Sequence, residues 1–181
     1  MELHSERLIL QEFRPDDFAA VREYEGREVR YHYEKPLAGD EGVRAYLDQS
    51  IAWSQETPRT HYRLALTLPP EDVARGRISL ALTFAEFREW EIGWTVDWRY
   101  WGLGYATEGA RVLLDFAFET LGVHRVVAFC NVNNQASARV MEKIGMQQDG
   151  RLRETLWWNN CWTDELIFSI LDREWEKARI I

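Results

Sequence analysis

Residues 98–112 read WRYWGLGYATEGARV, with Gly102 and Gly104 one residue apart immediately before a helix-forming segment. A helix N-terminus exposes unpaired backbone N–H groups and the positive end of the helix dipole, so this arrangement can hold a phosphate or pyrophosphate without a basic side chain. Glycine lets the backbone approach such an anion and adopt dihedrals closed to other residues, while Arg99 could add charge and Thr107 a hydroxyl. The plain alternative is a tight strand-to-helix connection with no ligand, and the glycine pair alone leaves both open. Two familiar phosphate motifs lose weight: no GKS or GKT follows, as a Walker loop requires, and Thr107 stands where the dinucleotide fingerprint needs a third glycine.

The elements that must position this turn follow from periodicity. LHSERLILQEF alternates toward Leu8, Leu10 and Phe13 and predicts a strand, and RPDDFAAVREYE turns helical after Pro15. Asp40 is placed to cap a second helix through VRAYLDQSIAWSQE, with Pro58 beyond its end. YRLALTL, ARGRISLALTF and WEIGWTV are three β-prone runs that predict an antiparallel meander. After the glycine turn, Ala106, Ala110, Leu113 and Ala117 form one stripe of an amphipathic helix with Gly122 as its C-cap. HRVVAFCNV predicts a buried strand, NNQASARVMEKIG a short helix ended by Gly145, and the remainder two strands joined at Asn159-Asn160. The expected fold is α/β (α+β), β-α-α-β-β-β-α-β-α-β-β, with a mixed sheet whose parallel pair flanks the glycine turn and binds ligand at its carboxyl ends.

A chain of 181 residues without repeat or linker is expected to form a single domain spanning residues 1–181. The formal charge of −8 argues against broad attraction to nucleic acid and confines any anion site to a local pocket. No apolar run is long enough for a membrane span, and MELHSERLIL lacks the pattern of a secretory signal, so a cytoplasmic location is expected. Cys130 and Cys161 form no CxxC pair, and His4, His32, His61 and His124 share no metal-ligand spacing, so no metal is implied.

With EIGWTVD before it, RYWGLGYATEG itself, and NVNNQASARVMEKIGMQQDGRLRE after it, the chain resembles the GCN5-related N-acetyltransferase (GNAT) superfamily, in particular its RimJ/RimL-like branch. The resemblance implies a mixed central sheet with a splayed parallel strand pair flanked by helices, and acetyl-coenzyme A as cosubstrate. It implies that Trp94, Thr95 and Val96 offer a strand edge to the pantetheine arm, a form of β-augmentation. The amides from Arg99 through Tyr100, Trp101, Gly102, Leu103, Gly104 and Tyr105 would take the pyrophosphate. Asn131, Asn134 and Ser137 would line the coenzyme, and Lys143, one turn from Arg139, would meet its outer phosphates; Asn134 can equally cap the helix, and a solvated face serves Arg139 and Lys143 as well.

The resemblance also bears on catalysis. Many members have a proton-donating tyrosine where Met141 stands, so Ser137 is the implied acid, as in the RimL-like branch; otherwise it is a helix-surface hydroxyl. Glu91 is the implied base, against a plain salt-bridging carboxylate. Leu156 occupies the position of the branch's proposed glutamate base, and Glu154 could replace it only across a bulge. The implied activity is acetyl transfer to a primary amine, a protein N-terminus or a small amine. Tyr31, Tyr33, Trp53, Trp90, Trp157 and Trp158 could line the acceptor groove, with Asp164 or Glu165 attracting the amine, or these residues could be core and surface. A sensor that binds acyl-coenzyme A without catalysis and a nucleotide-binding protein using GLGYAT are the alternatives, and a homodimer remains an option.

Overall fold

The computed structural model describes residues 1–25, 37–158 and 160–178. Tyr31, Tyr33, His32 and Asn159 therefore lie outside the described residues, as does the side chain of Trp158. The first predicted strand is a hairpin of β1 (Glu2–His4) and β2 (Ile9–Glu12), because the Ser5 amide donates to the Leu8 carbonyl and turns the chain between them. A 3-10 turn at Pro15–Asp17 leads into α1 (Phe18–Glu25), and α2 follows as Gly39–Ser54. Ala38, not Asp40, is the N-cap of α2; Asp40 lies in its first turn, where it favours the helix dipole and pairs with Arg22 of α1.

The meander is present as β3 (His61–Thr67), β4 (Ala74–Phe84) and β5 (Glu89–Val96). Then come α3 (Tyr105–Asp115), β6 (Arg125–Asn131), α4 (Gln135–Lys143), β7 (Gln147–Trp158) and β8 (Cys161–Leu171). A last helix, α5 (Asp172–Ala178), was not expected from ILDREW; burial of Trp175, whose indole donates to Asp115 at 3.1 Å, docks this short segment on the core. Among the described residues no helix is long and apolar enough to cross a membrane.

One eight-stranded sheet runs β1-β2-β3-β4-β5-β6-β8-β7. Strand alternation gives it two faces. Leu64, Ile78, Leu80 and Ile92 pack with Ala110, Leu113 and Leu114 of α3 and Met141 of α4, whereas Ala65 and Ala74 face Val21, Val43 and Leu47 of α1 and α2. The feature that matters for function is between β5 and β6. Their parallel pairing covers Glu89↔Arg125, Trp90↔Val126 and Glu91↔Val127 and stops there. Beyond it β5 stays with β4 as far as Val96 and β6 stays with β8 as far as Asn131, so the two strands part. The Asp97 amide donates to Arg75 on β4, and the Gly93 carbonyl accepts from Ser79 on β4. By alternation the backbone groups of Ile92, Trp94 and Val96 point into the gap.

Candidate active site

The glycine turn is held from beneath by Asp97, which is almost fully buried. Its carboxylate accepts from the Arg99 amide at 3.1 Å and from Arg99 Nε at 3.0 Å, and Arg99 also pairs with Glu23 at 2.9 Å. These two carboxylates, Asp97 first, hold the guanidinium pKa above its ordinary value. Arg99 thus braces the turn, with its charge met by Asp97 and Glu23. The Tyr100 amide bonds the Asp97 carbonyl at 2.8 Å and the Trp101 amide the Trp98 carbonyl at 3.3 Å. The amides of Arg99, Tyr100 and Trp101 are thus engaged within the turn itself.

Gly102 and Gly104 have φ of +77° and +87°. A Cβ would meet nothing within 4 Å at Gly102 and only Arg7 Nη2, at 3.4 Å, at Gly104, so the demand on both is conformational. Gly104→Ala should therefore cost about 1–3 kcal/mol of backbone strain. The expected result is coenzyme A binding weakened roughly tenfold by calorimetry, with the acceptor KM little changed.

The cation beside the turn is Arg7. It donates to the Leu103 carbonyl at 3.2 Å, pairs with Glu108 in the first turn of α3, and lies 4.8 Å from the Tyr105 ring centre. Nothing local in SERLIL ties Arg7 to a loop some ninety residues later; only the docking of β1–β2 against α3 does. Trp101 is exposed, and its indole donates to the Val96 carbonyl at 2.7 Å, covering one of the backbone groups aimed at the gap.

A cavity of about 690 Å³ occupies the gap and is lined by residues from both faces of the sheet. Trp94 and Ile92 line it from β5, and Asn134, Ser137 and Met141 from α4. Asn134 N-caps α4 by accepting from the Ser137 amide at 3.1 Å, which fixes the helix start and thereby Ser137. Asn131 is buried, accepts from the Asn133 amide at 2.9 Å and donates to Thr163 at 3.2 Å, so it shapes the end of β6 as well as lining the cavity. Lys143 does not line the cavity; it is exposed at the end of α4, where its carbonyl accepts from Arg111 of α3. Thr95 pairs with Arg77 in the sheet, on the face away from α4.

On the α1–α2 face the cavity meets Glu91 and Glu165. Glu91 is open to solvent in the cavity but walled by protein on most sides, and this loss of bulk water, followed by the neighbouring charge of Glu165, raises its carboxyl pKa. Glu165 lines the cavity and Asp164 does not: Asp164 is paired with Arg151 and accepts from the Glu154 amide. The bulge that a glutamate at 154 would need is real, with the β7–β8 register shifting between Leu152 and Leu156 and Glu154 at φ +54°. Yet Leu156 faces the cavity and Glu154 is exposed outside it. Cys130 also lines the cavity, and burial, with Glu165, pushes its thiol up to about 11, so it holds its proton at neutral pH.

Of the aromatic candidates, Trp157 lines the cavity from β7, with Trp162 edge-on to it. Trp90 is buried in the core against Tyr62, and Trp53 stacks on His61.

The chain has relatives among known proteins. The chain is 31% identical over 176 residues, 97% of its own length and 99% of the relative's, to an uncharacterised N-acetyltransferase of Bacillus subtilis, YnaD. It is similar to the crystal structure of a GNAT-family acetyltransferase from Bacillus anthracis, with 30% identity, a TM-score of 0.84, and coverage of 96% of this chain and 100% of the other. RimJ of Mycobacterium smegmatis, solved in complex with CoA-disulfide, has the same fold at 21% identity and a TM-score of 0.80, over 96% of this chain and 87% of that one. The profile of the acetyltransferase (GNAT) domain matches residues 7–147. With these matches beside the parted strands and the glycine turn at the mouth of α3, the chain belongs to the GNAT acetyltransferases.

Proposed function

We propose that the protein transfers the acetyl group of acetyl-coenzyme A to a primary amine, a protein N-terminal amino group or a small amine, by direct attack of the amine on the thioester, within a single domain spanning residues 1–181. The observation that carries this reading is that one cavity joins Ser137 and the gap-facing backbone of β5 to Glu91 and Glu165. The coenzyme would lie with its pyrophosphate at Gly102–Tyr105 and its amide-rich arm along Trp94 and the Val96 amide, whose gap-facing groups lack a strand partner there, the Val96 carbonyl being taken by Trp101. An amine entering from the α1–α2 face meets Glu91 first. A carboxyl with a raised pKa is a better base for an ammonium proton than an ordinary one, because its proton affinity lies nearer working pH. Glu165 adds negative charge that draws a cationic amine to the same spot.

The departing sulfur needs a proton or a donor. Met141 has neither, while the Ser137 hydroxyl lines the cavity one helical turn away from it. A protonated Cys130 is a poor nucleophile, which favours direct transfer over an acyl-enzyme. Ser137→Ala should lower kcat by about a hundredfold, the low end for an acid catalyst because a thiolate leaves readily, with coenzyme A affinity retained in calorimetry. The apolar Met141 and Leu156 in the cavity favour a second reading, an acyl-coenzyme A sensor. That reading gains if no amine or peptide in a wide panel releases coenzyme A, and loses if Ser137→Ala abolishes a measurable turnover.

A further inference from the structure

The cavity does not end at Glu91. On the α1–α2 face it continues sideways over β4 to β3, where Arg63 lines it. Arg63 pairs across the sheet with Ser79, and Ser79 with Gly93 of β5, so the three stand in one row on the face that carries Glu91. With strands about 4.8 Å apart, the Arg63 and Gly93 backbones are roughly 10 Å from each other, and a long side chain can close most of that distance.

The surroundings of Arg63 are unusual for a half-buried cation. Its guanidinium lies 4.3 Å from the ring centres of both Tyr46 and Trp53, and Nη1 donates to the Ser50 hydroxyl at 3.2 Å. Trp53 is itself stacked on His61, which holds its ring in place beside the guanidinium. Among the described residues no carboxylate forms an ion pair with Arg63. Arg77, next to it on β4, repels it, and the carboxylate of Glu25 lies 3.8 Å from Arg77. Burial lowers the Arg63 pKa, which is the mark of a charge given less than full compensation. Retaining such a group in a cavity wall costs stability unless something in the cavity repays it.

We propose that Arg63 binds an anionic group of the acceptor, and that the acceptor is an amine bearing a carboxylate on the same small molecule, an amino acid or close derivative. The polarity of the cavity matches such a zwitterion, with Glu91 and Glu165 at the amine end and Arg63 at the acid end. A guanidinium presents paired N–H donors that fit a planar carboxylate in two-pronged fashion. This rests on the proposed amine acetylation, and deepens it by naming the acceptor class.

The test compares matched acceptors: phenylalanine against 2-phenylethylamine, and phosphoethanolamine against ethanolamine, in the wild-type protein with acetyl-coenzyme A. The expected result is a kcat/KM at least tenfold higher for the carboxylated member of the first pair. Arg63→Met, close in volume, should erase that preference while changing kcat/KM for 2-phenylethylamine less than threefold, and Arg63→Lys should keep part of it. Equal rates for both members in the wild type, or a preference that survives Arg63→Met, would overturn the proposal; so would a preference confined to phosphoethanolamine, which would make phosphate the recognised group. Calorimetric titration of phenylalanine into the coenzyme A complex keeps the two readings apart. Binding that Arg63→Met abolishes, without turnover, supports the subsite and sinks the transferase reading; turnover with no dependence on Arg63 does the reverse.

Discussion

Glu91→Gln is expected to lower kcat/KM by about a hundredfold to ten-thousandfold at neutral pH while leaving coenzyme A affinity intact. The carboxylate is the acid–base group of β5 that lines the cavity, and glutamine keeps its size while removing its capacity to take a proton. In the wild type the rate should climb with pH through a midpoint above the ordinary glutamate value, since loss of bulk water and the neighbouring Glu165 both oppose ionisation. The variant should lack that limb. Stability should move the opposite way. The unfolded chain releases the Glu91 proton near the ordinary pKa of about 4.3, and the folded chain releases it at higher pH. Between those values the native state binds more protons, so stability falls as pH rises through the window. Glu91→Gln removes this slope, and its thermal midpoint above the window should exceed that of the wild type. A variant that is slower and more stable marks a carboxylate kept for chemistry; an unchanged rate would take Glu91 off the proton path and leave Glu165 as the carboxylate facing the amine.

The largest loss of stability is expected from Gly76→Ala. Gly76 of β4 pairs with Val96, and a Cβ there would stand 2.3 Å from the Thr95 carbonyl oxygen and 3.0 Å from Val96 Cα. Both are backbone atoms in a strand, so neither can rotate aside. Overpacking of this kind costs about 2–3 kcal/mol, or roughly 5–10 °C in Tm for a chain of this size. The strain falls on the strand end that faces the gap, so the KM for acetyl-coenzyme A should rise as Tm drops. Thermal melts with and without coenzyme A measure both effects, and a melt identical to wild type would show that β4 and β5 can slide apart at no cost.

Local signals carried the elements far. Hydrophobic period alone located α3, the meander and the buried β6, and the glycines at 104, 122 and 145 marked the αL positions that bound the helices. What stayed hidden was whatever depended on a distant partner. Asp40 has the chemistry of a cap, yet α2 begins before it and Arg22 claims it. The Asp172–Ala178 helix is too short to announce itself and exists because Trp175 is buried. In the site, Ser137, Asn134 and Trp94 could be named from one stretch of chain each, because a motif fixes their neighbours in sequence. Arg99 shows the limit: an arginine beside a glycine turn suggests a ligand, but Asp97 and Glu23 had claimed it. Arg7 and Arg63 had no motif around them at all, and only the sheet brings one to the loop and the other to the cavity.

The parting of β5 from β6 makes the sheet a partition with a slot in it. On the proposed reading the coenzyme takes the half built by α3, α4 and the glycine turn, and the acceptor the half built by α1, α2 and the outer strands. Mutations that retailor the acceptor side would then leave the thioester side standing, and a lineage could trade one amine for another without rebuilding the coenzyme site. Such insulation lets one scaffold diversify its substrates while its chemistry stays put.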